Sequence, residues 1–379
     1  MVERRRTMAL LGLSLYLVSC SSSVDEGTHR APMTNGPSDM SGVRVLRLGQ
    51  PRAVHHATEL QDGRVLFTGG CTLPGCEGFE EGRSTEIFDP SREEFQPGPR
   101  MMAPRAGGTA TLLNDGRVLL TGGYPGEGRG PTDTAELYDP EADGFLRASS
   151  MTTPRADQTA TLLPNGRVLL AGGVGAGGAP LDSTELFNPR TDEFAQGPRL
   201  SQPRTGQEAA LVGRSVLLVG GTRSGRALRT TELLQDGTWT PGPSLLTPRL
   251  KPGLAVVDDR EVFVVGGAST TEGRDGLAST EIVSLQTGKS RYGPELSEGE
   301  YKLEGAVTRL DDGRIAVAGG NKVNVYNPLN NELTTLEHPS MGTRLFLSAT
   351  ALQGNRLLVA GGYDLAIAPT DQAWLITVE

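Results

Sequence analysis

Seven basic residues stand at one place in a repeated pattern: Arg52, Arg105, Arg155, Arg204, Arg249, Lys302 and Arg344. Each lies seventeen residues before a Gly-Gly pair, except Arg204, which lies sixteen before. Five of them follow a proline. Cations gathered on one face would concentrate carboxylates, sulfates or phosphates, even on a chain whose net charge is −9. The same regularity has a structural reading, because a side chain repeated in register often makes the same salt bridge between neighbouring units. His55 stands three residues after Arg52, where later units carry Gln158 and Gln207. It joins the seven as a candidate ligand contact, against a plain hydrogen-bonded role. An acidic series, Glu86, Glu136, Glu185, Glu232 and Glu281, recurs in Ser/Thr-x-Glu contexts. Arg64, Arg117, Arg167 and Arg314 recur in Asp/Asn-Gly-Arg turns. Both read as architecture, one buried or half-buried hydrogen bond per unit, and no catalytic residue is assigned.

What must position these residues is the repeat itself. Gly-Gly pairs begin at 69, 122, 172, 220, 266, 319 and 361, a period near fifty. Self-similarity at that period marks a solenoid, a propeller or an array. Within residues 104–151, Thr109–Leu113 is a short β-rich run and Asn114-Asp115-Gly116 carries hairpin chemistry. Val118–Thr121 is apolar without alternation, which suggests burial on both faces. Two glycines end it, and glycine there suits a close backbone approach. Thr134–Tyr138 gives a third strand, closed by Asp139-Pro140, and Gly144–Leu146 a short fourth. Glycine is abundant, 51 of 379 residues, and aromatics are only 5%. The chain reads as all-β, and four antiparallel strands in about fifty residues make one propeller blade.

Closure follows from the two ends. The seventh unit offers three strands, Leu347–Leu352, Arg356–Ala360 and Ala373–Val378, and then the chain stops. Val43–Arg47 is a strand without a partner ahead of the first unit. It supplies the missing fourth strand and removes the open edges. Seven blades are expected; six plus a decayed copy is the alternative.

A hydrophobic run, a double glycine, an aromatic about fifteen residues on and then a second aromatic resembles the kelch repeat. Those positions are Gly122-Gly123, Tyr138 and Phe145, with Phe88 and Phe95, Phe187 and Phe194, Tyr326 and Trp239 in other copies. The resemblance covers residues 42–379. It implies that each blade's first strand lines a central channel. The basic series then rings one mouth, and the loops after Gly-Gly open on the same face. Kelch propellers include copper radical oxidases resembling galactose oxidase, whose chemistry needs two His, two Tyr and a cross-linked Cys. With four histidines, His29, His55, His56 and His338, and every cysteine assigned elsewhere, that set is not found. Sialic-acid mutarotases, also kelch propellers, remain the enzyme alternative. No G-x-S-x-G, H-E-x-x-H or phosphate loop occurs in a supporting context.

Residues 1–19 read as an address. Arg4, Arg5 and Arg6 precede an uncharged run from Met8 to Ser19, too short for a spanning helix, which needs about twenty residues. Leu17-Val18-Ser19-Cys20 resembles a bacterial lipobox, which implies lipidation of Cys20 and a membrane anchor. Residues 20–41 read as a polar tether and 42–379 as the propeller. Cys71 and Cys76 flank a Pro-Gly turn, and an oxidising envelope makes a disulfide the expectation. No metal site and no cofactor is assigned, and the acidic chain argues against nucleic acid. The expected function is a monomeric, lipid-anchored envelope protein, outer-membrane sorted, that binds a protein or acidic glycan through its loop face. A carbohydrate-active enzyme and a passive envelope component are the alternatives.

Overall fold

The computed structural model describes residues 38–39, 42–76, 81–126, 128–270, 276–338 and 340–379. The expected signal segment, Cys20 and most of the tether lie outside the described residues, as does the side chain of Cys76.

Blade 2 shows how one repeat folds. At the hairpin, Asp115 Oδ1 accepts a hydrogen bond from Arg117 N at 3.1 Å, and Gly116 takes a φ of +88°. The turn residues therefore do what Asp and Gly do best, and Thr109–Leu112 is turned back into Val118–Thr121. Ala135–Asp139 and Gly144–Arg147 complete the antiparallel sheet outward. The four residues of Val118–Thr121 are all buried, because successive side chains enter different seams. Val118 and Leu120 pack with Leu66 and Met101 of blade 1, while Leu119 packs with Val168 and Phe187 of blade 3. Each such burial contributes about 1.5–3 kcal/mol. The third-strand aromatics sit against the fourth-strand ones: Phe88 on Phe95 at 4.9 Å, Tyr138 on Phe145 at 5.3 Å, Phe187 on Phe194 at 4.8 Å between ring centres.

Seven such sheets form a ring. Their first strands begin at His56, Thr109, Thr159, Thr205, Gly253, Val307 and Ser348, and each touches its neighbours. Contact between the last of these and the first closes the circle. Val43–Arg47 pairs antiparallel with Gln372–Thr377, so the N-terminal strand is the outer strand of blade 7. Blade 4 carries the longest hairpin, Thr205–Val212 with Ser215–Arg223. Ser38–Asp39 lie parallel to Leu336 and Glu337 at the edge of blade 6.

The double glycines are the seams. Gly122 has a φ of +63°, and a Cβ on it would lie 2.3 Å from the carbonyl oxygen of Arg155 in blade 3. Gly123 N donates to that same oxygen at 2.9 Å. The bond recurs from Gly70 to Arg105, from Gly173 to Arg204, from Gly221 to Arg249 and from Gly267 to Glu300. Gly362 donating to Arg52 closes the ring with it. Only a residue without a side chain admits the next backbone this closely.

Candidate functional site at the channel mouth

Five of the seven basic residues are spent inside the protein. The Arg52, Arg155, Arg204 and Arg249 side chains have no exposed surface, and Arg105 has almost none. Each meets the third-strand glutamate of its own blade: Arg52 with Glu86, Arg105 with Glu136, Arg155 with Glu185, Arg204 with Glu232, Arg249 with Glu281, all at 2.8–2.9 Å. Each guanidinium also donates to the first glycine carbonyl of its own Gly-Gly pair, as Arg155 does to Gly172 O at 2.9 Å. The glutamate turns its remaining capacity to the incoming linker, Glu136 accepting from Met102 N and Ala103 N. Burial works to lower these arginines and the paired glutamates hold them charged. The two series that the sequence presents separately are one bracket. It pins a blade's entry to its own third strand, within the blade rather than between blades.

Lys302 and Arg344 do not belong to that bracket. Glu300 carries the carbonyl that Gly267 meets, so Glu300 occupies the arginine's place in blade 6 and Lys302 lies two residues beyond it. The count of seventeen misleads because the link into the first strand is longer there. Arg344 holds the place in blade 7, but Trp374 fills the glutamate's position and bonds Ser340 Oγ through Nε1 at 3.0 Å. Arg344 is half-buried and donates to Met341 O. His55 is buried and shares a 2.9 Å hydrogen bond with Ser348 Oγ of blade 7. Gln158 and Gln207 do the same from the matching positions, reaching Thr121 O and Ala171 O of the preceding blades. Burial, and then the charge of Arg52, keep His55 neutral by holding its pKa well below the usual range. Cys71 is disulfide-bonded.

The residues that do meet at the mouth are those the repeat leaves free to vary. Two positions after each bracket site the backbone turns left-handed in every blade: Val54, Gly107, Asp157, Gly206, Lys251, Lys302 and Phe346, with φ between 50° and 64°. Only two of the seven are glycine, and such strain in other residues costs about 1 kcal/mol or more each. Val54, Gly107, Asp157 and Phe346 line a cavity of about 190 Å³, along with His56, Gln158, Gln207, Glu208 and Glu304. Lys251 bridges across the ring, with Nζ 3.3 Å from Asp157 Oδ1 and 3.4 Å from Glu304 Oε2. Burial opposes that charge, but the two carboxylates outweigh it and push Lys251 up. Burial, and then the charge of Glu304, push Glu208 well above its ordinary value, which favours its protonated form. Burial raises Glu304 too, against the pull of Lys251. His56 is pushed down to about 4 by burial and is a neutral imidazole.

The cavity therefore joins a carboxyl group, an imidazole and two amides beside a satisfied ion triad. Among the described residues His56 Nε2, Gln158 Oε1 and Gln207 Oε1 have no hydrogen-bond partner. Such a set suits hydroxyl groups, which donate and accept at once. Among the described residues no group of three or more His, Cys, Asp or Glu is placed to hold a metal ion.

No family model matches the chain, and no curated protein matches it. Among solved structures it is similar to a fungal alcohol oxidase of the AA5 family, in complex with copper. That likeness has a TM-score of 0.69 at 15% identity, and covers 90% of this chain and 76% of the oxidase. At that identity the likeness concerns the fold alone: this chain is a seven-bladed β-propeller.

Proposed function

We propose that this protein is a lipid-anchored envelope propeller of the kelch type that binds a neutral, polyhydroxylated ligand, a saccharide, in the cavity at its channel mouth. The observation that carries the reading is one cavity lined by His56, Gln158 and Gln207, each with a buried polar atom that has no hydrogen-bond partner among the described residues, and by Glu208, whose carboxyl burial raises. The acidic ligand expected from a cationic ring loses its charge source, since five of those arginines are paired and buried. The anchor rests on the Leu17–Cys20 pattern, and the kelch type on the glycine and aromatic spacing. Titration calorimetry with neutral, acidic and amino sugars tests the binding. A neutral sugar bound by the parent chain and lost in Gln207→Leu, with the melting temperature within a few degrees, supports it. Equal binding by both, or binding of acidic sugars only, overturns it. Labelling of Cys20 by a fatty-acid probe in a bacterial host tests the anchor.

One observation favours a second reading, an enzyme acting on such sugars. Glu208 and Glu304 line one cavity, and burial raises both, with the charge of Glu304 adding to the rise of Glu208 and Lys251 pulling Glu304 back, a pair of carboxyls that could share acid and base roles. Turnover of a bound sugar, abolished by Glu208→Gln, would select it over binding alone.

A further inference from the structure

The chain has only four lysines, Lys251, Lys289, Lys302 and Lys322, against 32 arginines. Two of the four stand in adjacent blades at the channel mouth, and they differ sharply in their partners. Lys251 takes both nearby carboxylates. Lys322 pairs with Glu298 at 2.6 Å. Lys302 makes no ion pair among the described residues. Its Nζ lies 5.1 Å from the Tyr301 ring, 5.0 Å from Phe346 and 5.6 Å from Tyr363, and donates to Tyr363 OH at 3.2 Å. Lys251 lies over the same Phe346 ring, 4.8 Å from its centre. With no carboxylate in ion-pair reach among the described residues and a second ammonium beside it that has taken the nearby counter-charges, burial favours the neutral form of this amine, against the modest pull of the ring faces toward the charged form.

We propose that Lys302 is a nucleophilic amine that captures carbonyl compounds, aldehydes above all, as an imine beside the channel-mouth cavity. The neutral Nζ attacks the carbonyl carbon, a C–N bond forms and the carbonyl π pair becomes a hydroxyl. The proton leaving nitrogen goes to that oxygen, with Tyr363 OH at hydrogen-bond distance to pass it. Loss of water leaves the C=N bond, and no oxidant or reductant is consumed. Phe346 lines the cavity and Lys302 Nζ lies 5.0 Å from its ring centre, so the amine sits beside the cavity, and its side chain is only half-buried.

Burial, and then the charge of Lys251, bring Lys302 down to about 8, while Glu304 pulls the other way. At pH 8 about half of it is then the free amine. An ordinary exposed lysine, near about 10.4, is then about 0.4% free amine. Lower basicity costs some nucleophilicity, so a net preference of about tenfold or more is expected.

The proposal shares the channel mouth with the function proposed above but does not need a sugar to bind. Its test is reductive labelling of the folded full chain with glycolaldehyde and cyanoborohydride from pH 6 to pH 10. An arginine-specific digest puts each lysine on its own peptide, and Lys289, on an outer strand, is the internal reference. Lys302 labelled about tenfold faster than Lys289 at pH 8, with a rate that rises through pH 8, is the expected result. Tyr363→Phe should slow Lys302 several-fold and leave Lys289 unchanged. Equal or slower labelling at Lys302 overturns the proposal, and so does a rate that ignores Tyr363 and keeps climbing to pH 10. Sugar binding without Lys302 labelling removes this inference and keeps the binding reading; labelling without sugar binding does the reverse.

Discussion

In blades 1 to 5 a buried arginine enters each blade and meets a glutamate on the third strand. In blade 6 the two places hold Glu300 and Asn324, and in blade 7 Arg344 and Trp374. The glycine-to-carbonyl bond survives into blade 6, because Gly267 meets Glu300 as the others meet arginine. The ring is thus carried by backbone seams, and the bracket is a reinforcement that two blades do without. Those two blades also supply Tyr301, Lys302, Phe346 and Tyr363, the aromatic side of the mouth. Where the repeated device is dropped, the chain has room to specialise.

The comparison breaks first in the bracketed blades. Arg249→Met strands the Glu281 charge, which has no exposed surface. A loss of about 3–5 kcal/mol is expected in urea unfolding at pH 7. Adding Glu281→Gln removes that charge but keeps an acceptor oxygen for one of Leu246 N and Thr247 N. About half of the loss should return; a double variant as unstable as the sum of the two singles would deny that the pair acts as a unit.

Blade 6 should respond in the opposite direction. Glu300 is buried with Oε1 unpartnered, and burial with the charge of Glu298 pushes it up to about 7. Its folded pKa lies above the unfolded value, so the stability it contributes is present below the carboxylate range and lost as pH rises toward 7. Glu300→Gln should therefore be neutral near pH 4 and stabilising, on the order of 1–3 kcal/mol, above pH 7. Melting temperatures at the two pH values check this; no difference between them would mean that Lys322 already neutralises the site.

The smallest effect is expected at the turns. Arg117 pairs with Asp115 at 2.8 Å on the surface, with Asp115 close to half exposed. Arg117→Ala should cost at most about 1 kcal/mol, far less than losing a bracket arginine. A cost above 2 kcal/mol would make the turn, not the bracket, the stronger device.

Much of the fold was legible because backbone demands leave marks in residue type. Gly122 and Gly123 are glycines for steric reasons that any alphabet of side chains would obey, and Asp115-Gly116 is turn chemistry of the same sort. The bracket was half legible. Arginine and glutamate occur together in five repeats and are both absent from blade 6, while blade 7 keeps Arg344 and puts Trp374 in the glutamate's place, a partial internal covariation that points to contact. Reading each series alone missed it. Lys302 was placed by counting back from Gly-Gly, and an irregular linker defeated the count. The site was least legible, since its residues occupy the positions where the repeat has no rule.

The sequence by itself determined the period, the number of blades and the closure by Val43–Arg47, because each is written in local turns and close approaches. Only the tertiary structure decided which charges are spent and which remain. Asp157, Lys251 and Glu304 are 94 and 53 residues apart along the chain and become one triad when the ring brings three blades to a common axis. The same closure sets Lys302 among rings and leaves its amine with no ion pair among the described residues. No local pattern encodes that proximity, since it is a property of the circle rather than of any blade.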